Sequence, residues 1–427
     1  MTIRRRDIFL GAGALGVAGP ALLAQASAQT RAAPAQPSPA ERLLTAARAN
    51  RHRLDHQDGR FSGPAWDMLV ARGGEAHVFL LGEEHGIAEN PRLAAALFRA
   101  LVPAGYGKVA IEISPPMADS LDRALRGGGF DGLRRLLADE GSRAAFFGMR
   151  EEAEWLAAAR AALPGGRPFL WGCDYEVGGD RHLIARLKAK PKPAAAISAL
   201  AALEAASNAS WARYHETRSP QHIYSFSGDP ALVRAVRSAW PRADAEARAI
   251  LETLEETFAI NRLWIEGRGY DSNLRRVTLL RRNFLRHWTA QGGARGPRVF
   301  MKFGAAHMIR GLAPTDMFDM GALVPEVAAQ AGVKTFHLLV LAGAGRDTAN
   351  FDVASYSYRA GHRDQYQEGM ELLYDAAWPD AFTLLDTAPL RPIARSSSRD
   401  LHPELARAVH GFDAILVLSG STPSANL

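Results

Sequence analysis

Seven short runs of this chain are apolar at nearly every position: AHVFLLG, KVAIEI, PFLWGC, RVFMKFG, KTFHLLVLAG, AFTLLD and AILVLSG. Continuous rather than alternating apolarity is the mark of strands buried on both faces, as in a parallel sheet covered by helices. Helical spacing fills the stretches between them. The alternation predicts an α/β fold with a mainly parallel sheet flanked by helices. The first crossover helix is punctuated, with Asn90 as N-cap, Pro91 in the first turn and Gly105 just past the end. Between Gly178 and Gly292 no run has the strand pattern. That stretch, about residues 178–292, predicts a helical insertion between the third and fourth core strands.

At 427 residues and 47% apolar, the chain can bury a large core, which argues against general disorder. Its first 28 residues stand apart. Arg5 and Arg6 precede a short apolar core, and Ala26-Ser27-Ala28 has the small residues of a cleavage site. This is the pattern of a twin-arginine signal, which implies the twin-arginine export machinery as a partner and a periplasmic or secreted destination. The core is short and broken by Pro20, so no stable membrane span is expected after cleavage. It contains GAGALG, a formal dinucleotide fingerprint, but no strand precedes it and no βαβ unit surrounds it. Residues 29–40 are rich in Ala, Pro and Gln and read as a disordered linker, leaving 41–427 as the α/β domain.

The formal charge is +6, of which the leader supplies two. Spread over such a length, the remainder is too dilute for a nucleic-acid footprint. Cys173 is the single cysteine, so no internal disulfide can form. With no basic neighbour in sequence to activate it, Cys173 reads as a small buried hydrophobe.

The chemistry gathers where the strands stop, the edge at which open parallel sheets bind ligands. Glu83, Glu84 and His85 close the first strand and Glu112 the second; Asp174 and Glu176 follow the third, and His307 the fourth. Taken singly, such a carboxylate often caps a helix and such a histidine is often a satisfied core residue. Four consecutive strands ending this way point to one pocket, because buried charge is costly without a purpose. His77 and His337 lie inside strands and read as packing residues. In SNLRRVTLLRRNFLRHW, Arg276 and Asn283 are two helical turns apart and share a face; most arginines on such a helix are solvated, but this pair could reach the same pocket. No GxSxG elbow, HExxH motif or Walker A loop occurs, which disfavours a serine esterase of the usual type.

GEEHG after the first strand, Glu112 after the second, WGCDYE, Arg276 with Asn283, KFGAAH and the late GFDAILVL come in an order that resembles one superfamily. It comprises the erythromycin esterase-like, haem-uptake-like and Tiki/TraB-like proteins, and the resemblance spans roughly residues 60–420. A single residue separates Glu83 from His85, as in the haem-uptake branch. Val277 follows Arg276 where an aspartate is expected, and SGSTP replaces acidic residues after the last strand. The resemblance implies hydrolysis of an ester, lactone or related bond of a small-molecule substrate by water, with a histidine as base.

In that reading His85, oriented by Glu83 or Glu112, takes the proton of water, a step worth about 10²–10⁴-fold. His307 protonates the leaving group or holds the substrate, and Arg276 stabilises the oxyanion. Glu84, Asp174, Glu176 and Asn283 are then substrate-binding candidates. Two alternatives stay open. His85, Glu112 and His307 could hold a divalent metal, as implied by the Tiki-like branch. The protein could instead bind haem through NFDVASYSYRAGHRDQY, which carries Tyr356, Tyr358, His362 and Tyr366. The plain reading of that loop is an exposed aromatic lid.

Overall fold

The structure is a computed structural model that describes residues 37–427 except 58, 292–294, 344, 365–366 and 398. The export signal, most of the linker and Tyr366 lie outside the described residues. The first helix takes in residues 39 and 40, the last two of the expected linker. Ser38 caps the helix Pro39–Ala49, accepting from the Glu41 N–H while Glu41 accepts from the Ser38 N–H.

The strands are β1 (Arg51–Gln57), β2 (Arg60–Ser62), β3 (Val78–Glu83), β4 (Tyr106–Ile111), β5 (Leu170–Gly172) and β6 (Arg298–Gly304). They continue as β7 (Thr335–Ala342), β8 (Arg346–Asp352), β9 (Ser357–Arg363), β10 (Phe382–Asp386) and β11 (Ala414–Leu418). Among the described residues, nine form one sheet in the order β2-β1-β10-β11-β7-β3-β6-β4-β5. From β11 to β5 every pairing is parallel, whereas β10 runs antiparallel to β11 and β1 antiparallel to β10. All seven apolar runs are strands of this sheet, and the fold is the expected α/β architecture.

β3 shows why continuous apolarity was required. Phe79 and Leu81 enter the core under the helices Glu89–Leu101 and Arg150–Ala162, while Val78 and Leu80 enter the core under Gly269–Ala290 and Met320–Gln330. Between β5 and β6 the described chain is helical, from Asp180–Lys188 to Gly269–Ala290, and builds its own core around Trp211, Tyr214 and Phe258. The expected insertion is there. No helix of the described residues is long and apolar enough to cross a membrane.

Two expectations need correction. Asn90 does not cap the first crossover helix, which starts at Glu89; its side-chain amide instead donates to the Glu84 carbonyl, 2.8 Å away, and braces the turn after β3. The NFDVASYSYRAGHRDQY stretch is not a plain loop, because it holds the end of β8 and all of β9, which pair as a two-stranded hairpin. Gly105 does stand at the end, in the left-handed region at φ +98°, after a short 3₁₀ turn.

Candidate active site

β3, β6 and β4 are neighbours in the sheet, with β6 in the middle. The residues that follow them therefore meet at one edge. His85 sits in the turn after β3, Glu112 directly after β4, and His307 in the short helix after β6. The turn at His85 depends on Gly86, whose φ is +87°; a Cβ there would lie 2.1 Å from the Ala349 carbonyl oxygen of the hairpin. That close approach lets Ala349 N–H donate to Gly86 O at 2.8 Å, and Thr348 Oγ1 to the His85 carbonyl at 3.0 Å.

Glu112 is the hub. One oxygen, Oε2, lies 3.4 Å from His85 Nε2 and accepts from the Gly304 N–H at 2.9 Å. The other, Oε1, lies 3.3 Å from His307 Nε2 and accepts from Arg276 Nη2 at 2.6 Å. Gly304 permits this crowding, since a Cβ on it would stand 3.1 Å from His85 Nε2. The outer nitrogens of the two rings are held as well. His85 Nδ1 is 3.0 Å from Glu83 Oε1, and His307 Nδ1 is 2.7 Å from Asp319 Oδ2. Arg276 completes a fork on Asp174, with Nε at 3.1 Å and Nη2 at 2.5 Å.

Beneath His85 lies a second buried set. Lys302, on β6, donates to Glu83 at 2.5 Å and to Glu152 at 2.6 Å, and all three side chains are buried. Above His85, the Phe146 ring stacks on the imidazole with centroids 3.9 Å apart.

The electrostatics follow from a charge count. Glu83, Glu112, Glu152, Asp174 and Asp319 are five carboxylates in contact with this network, while Lys302 and Arg276 supply only two permanent cations. The two histidines offset two of the three charges that remain. Burial lowers the pKa of both, but the carboxylates outweigh it: the hydrogen bonds that His85 donates to Glu112 and Glu83 raise it to about 9, and the Glu112 charge with the bond to Asp319 raises His307 to about 10. Burial works to raise Glu112, and the charge and hydrogen bonds of His307 and His85 overcome it and hold Glu112 well below the usual carboxylate range. Burial likewise acts to raise Glu152, which shares Lys302 with Glu83 and ends above its ordinary value. At neutral pH the resting site is thus two imidazoliums bridged by one carboxylate. The neutral His85 expected of an unperturbed ring near pKa 6.5 is not its resting form.

The remaining candidates take other places. Glu84 turns to the hairpin, accepting from Arg346 Nε and Arg363 Nη1, each at 2.9 Å. Glu176 is buried, accepts from Ser114 Oγ at 2.5 Å and Gly179 N–H at 3.0 Å, and is pushed up to about 7 by burial. Asn283 shares its helix face with Arg276 but donates to the Cys173 carbonyl at 2.9 Å, and so positions Asp174 rather than meeting the histidines. Glu84, Glu176 and Asn283 therefore brace the site, and Asp174 reaches it through Arg276. Burial raises the Cys173 thiol. His77 bonds the Gly296 carbonyl, and His337, pulled down to about 3 by burial, bonds the Met308 carbonyl, as packing residues do.

Lys302, Glu152, Asp319 and Phe146 were missed. Lys302 carried a signal, a lone charge inside the apolar run RVFMKFG. Asp319 lies twelve residues beyond His307, where it also caps Met320–Gln330, and nothing local marks it.

As placed, the donors do not fit a divalent ion. His85 Nε2 and His307 Nε2 face different oxygens of Glu112 rather than a common point, and Arg276 occupies one of those oxygens. No group of three or more His, Cys, Asp or Glu suited to a metal occurs among the described residues. Nor do the described residues of the loop form a haem iron site. Tyr356 is buried edge-on to Trp211, Tyr358 Oη accepts from the Phe146 N–H, and His362 is exposed between Asp347 and Asp364.

The site thus belongs to an α/β fold with a histidine–glutamate–histidine chain at the carboxyl edge of its sheet. Solved structures share that fold. A histidine-to-asparagine variant of erythromycin esterase EreC in its open conformation matches 88% of this chain and 99% of its own length, with 16% identity and a TM-score of 0.61. A succinoglycan biosynthesis protein matches 90% and 98%, with 13% identity and a TM-score of 0.60. A Bacillus cereus protein matches 92% and 100%, with 14% identity and a TM-score of 0.57. No protein-family profile matches the chain, and no curated protein matches it significantly in sequence. The likeness is one of fold, in agreement with the resemblance drawn from the motifs.

Proposed function

We propose that the protein is an exported hydrolase in which His85 activates water against an ester, lactone or related bond of a small molecule. The observation that carries this reading is the Glu112 bridge: one carboxylate couples two histidines at a sheet edge, with Arg276 beside it. Such a chain supplies a base, an acid and a cation for a developing oxyanion without a serine or cysteine nucleophile. His85 is the base because its side chain is 28% exposed, against 13% for His307. His307 keeps its proton and serves the leaving group. The twin-arginine pattern of residues 1–28 assigns the work to the periplasm or the exterior.

The test is a screen of the mature protein against ester, lactone, amide and peptide panels, followed by a pH profile on any substrate found. A base that rests as an imidazolium is active only in the fraction that has lost its proton. kcat/KM should therefore rise about tenfold per pH unit from 6 and level off near 9. A plateau already reached at pH 7 would show that the base does not rest as an imidazolium. Activity lost to a chelator and restored by a divalent ion would replace this reading with metal-assisted hydrolysis.

A further inference from the structure

A cavity of about 430 Å³ lies against the candidate site, walled by Phe146, Phe351, Tyr356, Tyr358, Ala144 and Leu427. The ring that helps to wall it is the ring stacked on His85. Phe146 holds an unusual backbone for a bulky residue, φ +63°, which is kept by its N–H donating to Tyr358 Oη at 2.8 Å. Phe146 thus stands between the cavity and the imidazole, touching both, and the cavity wall holds its backbone in place.

The polar groups at the rim are already engaged. Arg143 donates to the Tyr356 carbonyl at 2.9 Å, and Asn426 exchanges two 2.8 Å bonds with the Tyr358 backbone. No Asp, Glu or Lys lines the space. A ligand group entering it would find ring faces and aliphatic surface. The volume is at the lower end for ligand sites, enough for an aryl ring or a medium alkyl chain.

Building on the hydrolase reading, we infer that this cavity binds the apolar acyl or aryl part of the substrate, placing the scissile bond at the edge of Phe146 beside His85. The substrate class is then esters or lactones with a sizeable apolar group next to the reacting carbonyl.

The experiment separates binding from turnover. Straight-chain 2-alkanones from four to eleven carbons, which cannot be hydrolysed, are titrated calorimetrically into the mature protein and into a Phe351→Asp variant. Phe351 is 42% exposed, so the variant is expected to fold; Ser357→Glu, at the rim, serves if a melt shows otherwise. Affinity should rise about three- to fourfold per added methylene until the cavity is full, and fall at least tenfold in the variant. Absence of binding, no dependence on chain length, or an unaltered variant would overturn the assignment. Chain-length-dependent binding without hydrolysis of the matching p-nitrophenyl esters would support the cavity and sink the hydrolase reading alone. Hydrolysis with no preference among those esters would sink the cavity alone.

Discussion

Replacing Glu112 by glutamine keeps the shape of the hub and removes the one charge that both histidines share. In the folded protein the rings titrate at about 9 and about 10, against an ordinary value near 6.5. Raised values mean that proton binding stabilises the fold. That contribution is fully present below pH 6.5 and is lost as pH climbs through 9 to 10. At 1.36 kcal/mol per unit, each shift is worth roughly 3–5 kcal/mol as a ceiling. The partial exposure of His85 lowers its share, and Glu83 and Asp319 supply part of both. Glu112 is left with about 2–4 kcal/mol, on the order of 5 °C in Tm for a chain of this size. Thermal unfolding of wild type and Glu112→Gln from pH 6 to 10.5 measures this directly. The gap should be widest at pH 6–7 and narrow through 9–10, leaving a remnant from the bonds of Arg276 and Gly304 N–H. A gap that stays constant over that range would show that the histidines are not charged against Glu112, and the electrostatic account would fail.

His85→Ala should lower kcat by about two to four orders of magnitude in a folded protein, while Cys173→Ala leaves turnover nearly unchanged; the kinetics of the two variants on one substrate decide the point. Lys302→Met strands Glu83 and Glu152 against each other in the core and should cost about 3–5 kcal/mol in denaturant unfolding, partly recovered by adding Glu152→Gln. An unshifted midpoint would mean that the buried triad carries no charge. Replacing Arg5 and Arg6 by lysine should hold the precursor in the cytoplasm, and cell fractionation would show normal export if the leader is of another kind.

Much of the frame was visible in the sequence because parallel strands buried on both faces cannot carry polar residues without cost. The same rule explains what escaped. β1, RHRLDHQ, lies toward the edge of the sheet, buries only Leu54 fully and is paired by antiparallel neighbours, so no apolar run announces it. β8 and β9 form their own hairpin with mostly exposed positions on β9, leaving an aromatic-rich stretch that looks like a loop. Within the site, His85, Glu112 and His307 were legible because each follows an apolar run directly. Arg276 was legible only as a helix face, and that face alone could not separate it from Asn283, which ends on a backbone carbonyl. The ring protonation was beyond reach, since it depends on Asp319 and on Lys302 having two carboxylates to serve instead of one.

Under the proposed function, that last point favours one histidine as the base. Removing the proton from His307 would leave Asp319, 1% exposed, with no cation in contact among the described residues; only the neutral Nδ1–H of His307 and the Met320 N–H would still hold it. Removing it from His85 leaves Glu83 still paired with Lys302, and Glu112 still paired with Arg276 and His307. A buried carboxylate deprived of its cation is far costlier than one that merely loses a second partner. Deprotonation is therefore steered to His85, the more exposed ring and the one lying against Phe146 and the apolar cavity. The buried lysine acts in this account without touching a substrate: it keeps Glu83 ionised when His85 is neutral, so that Nδ1 stays bonded and Nε2 is the nitrogen left to accept a proton.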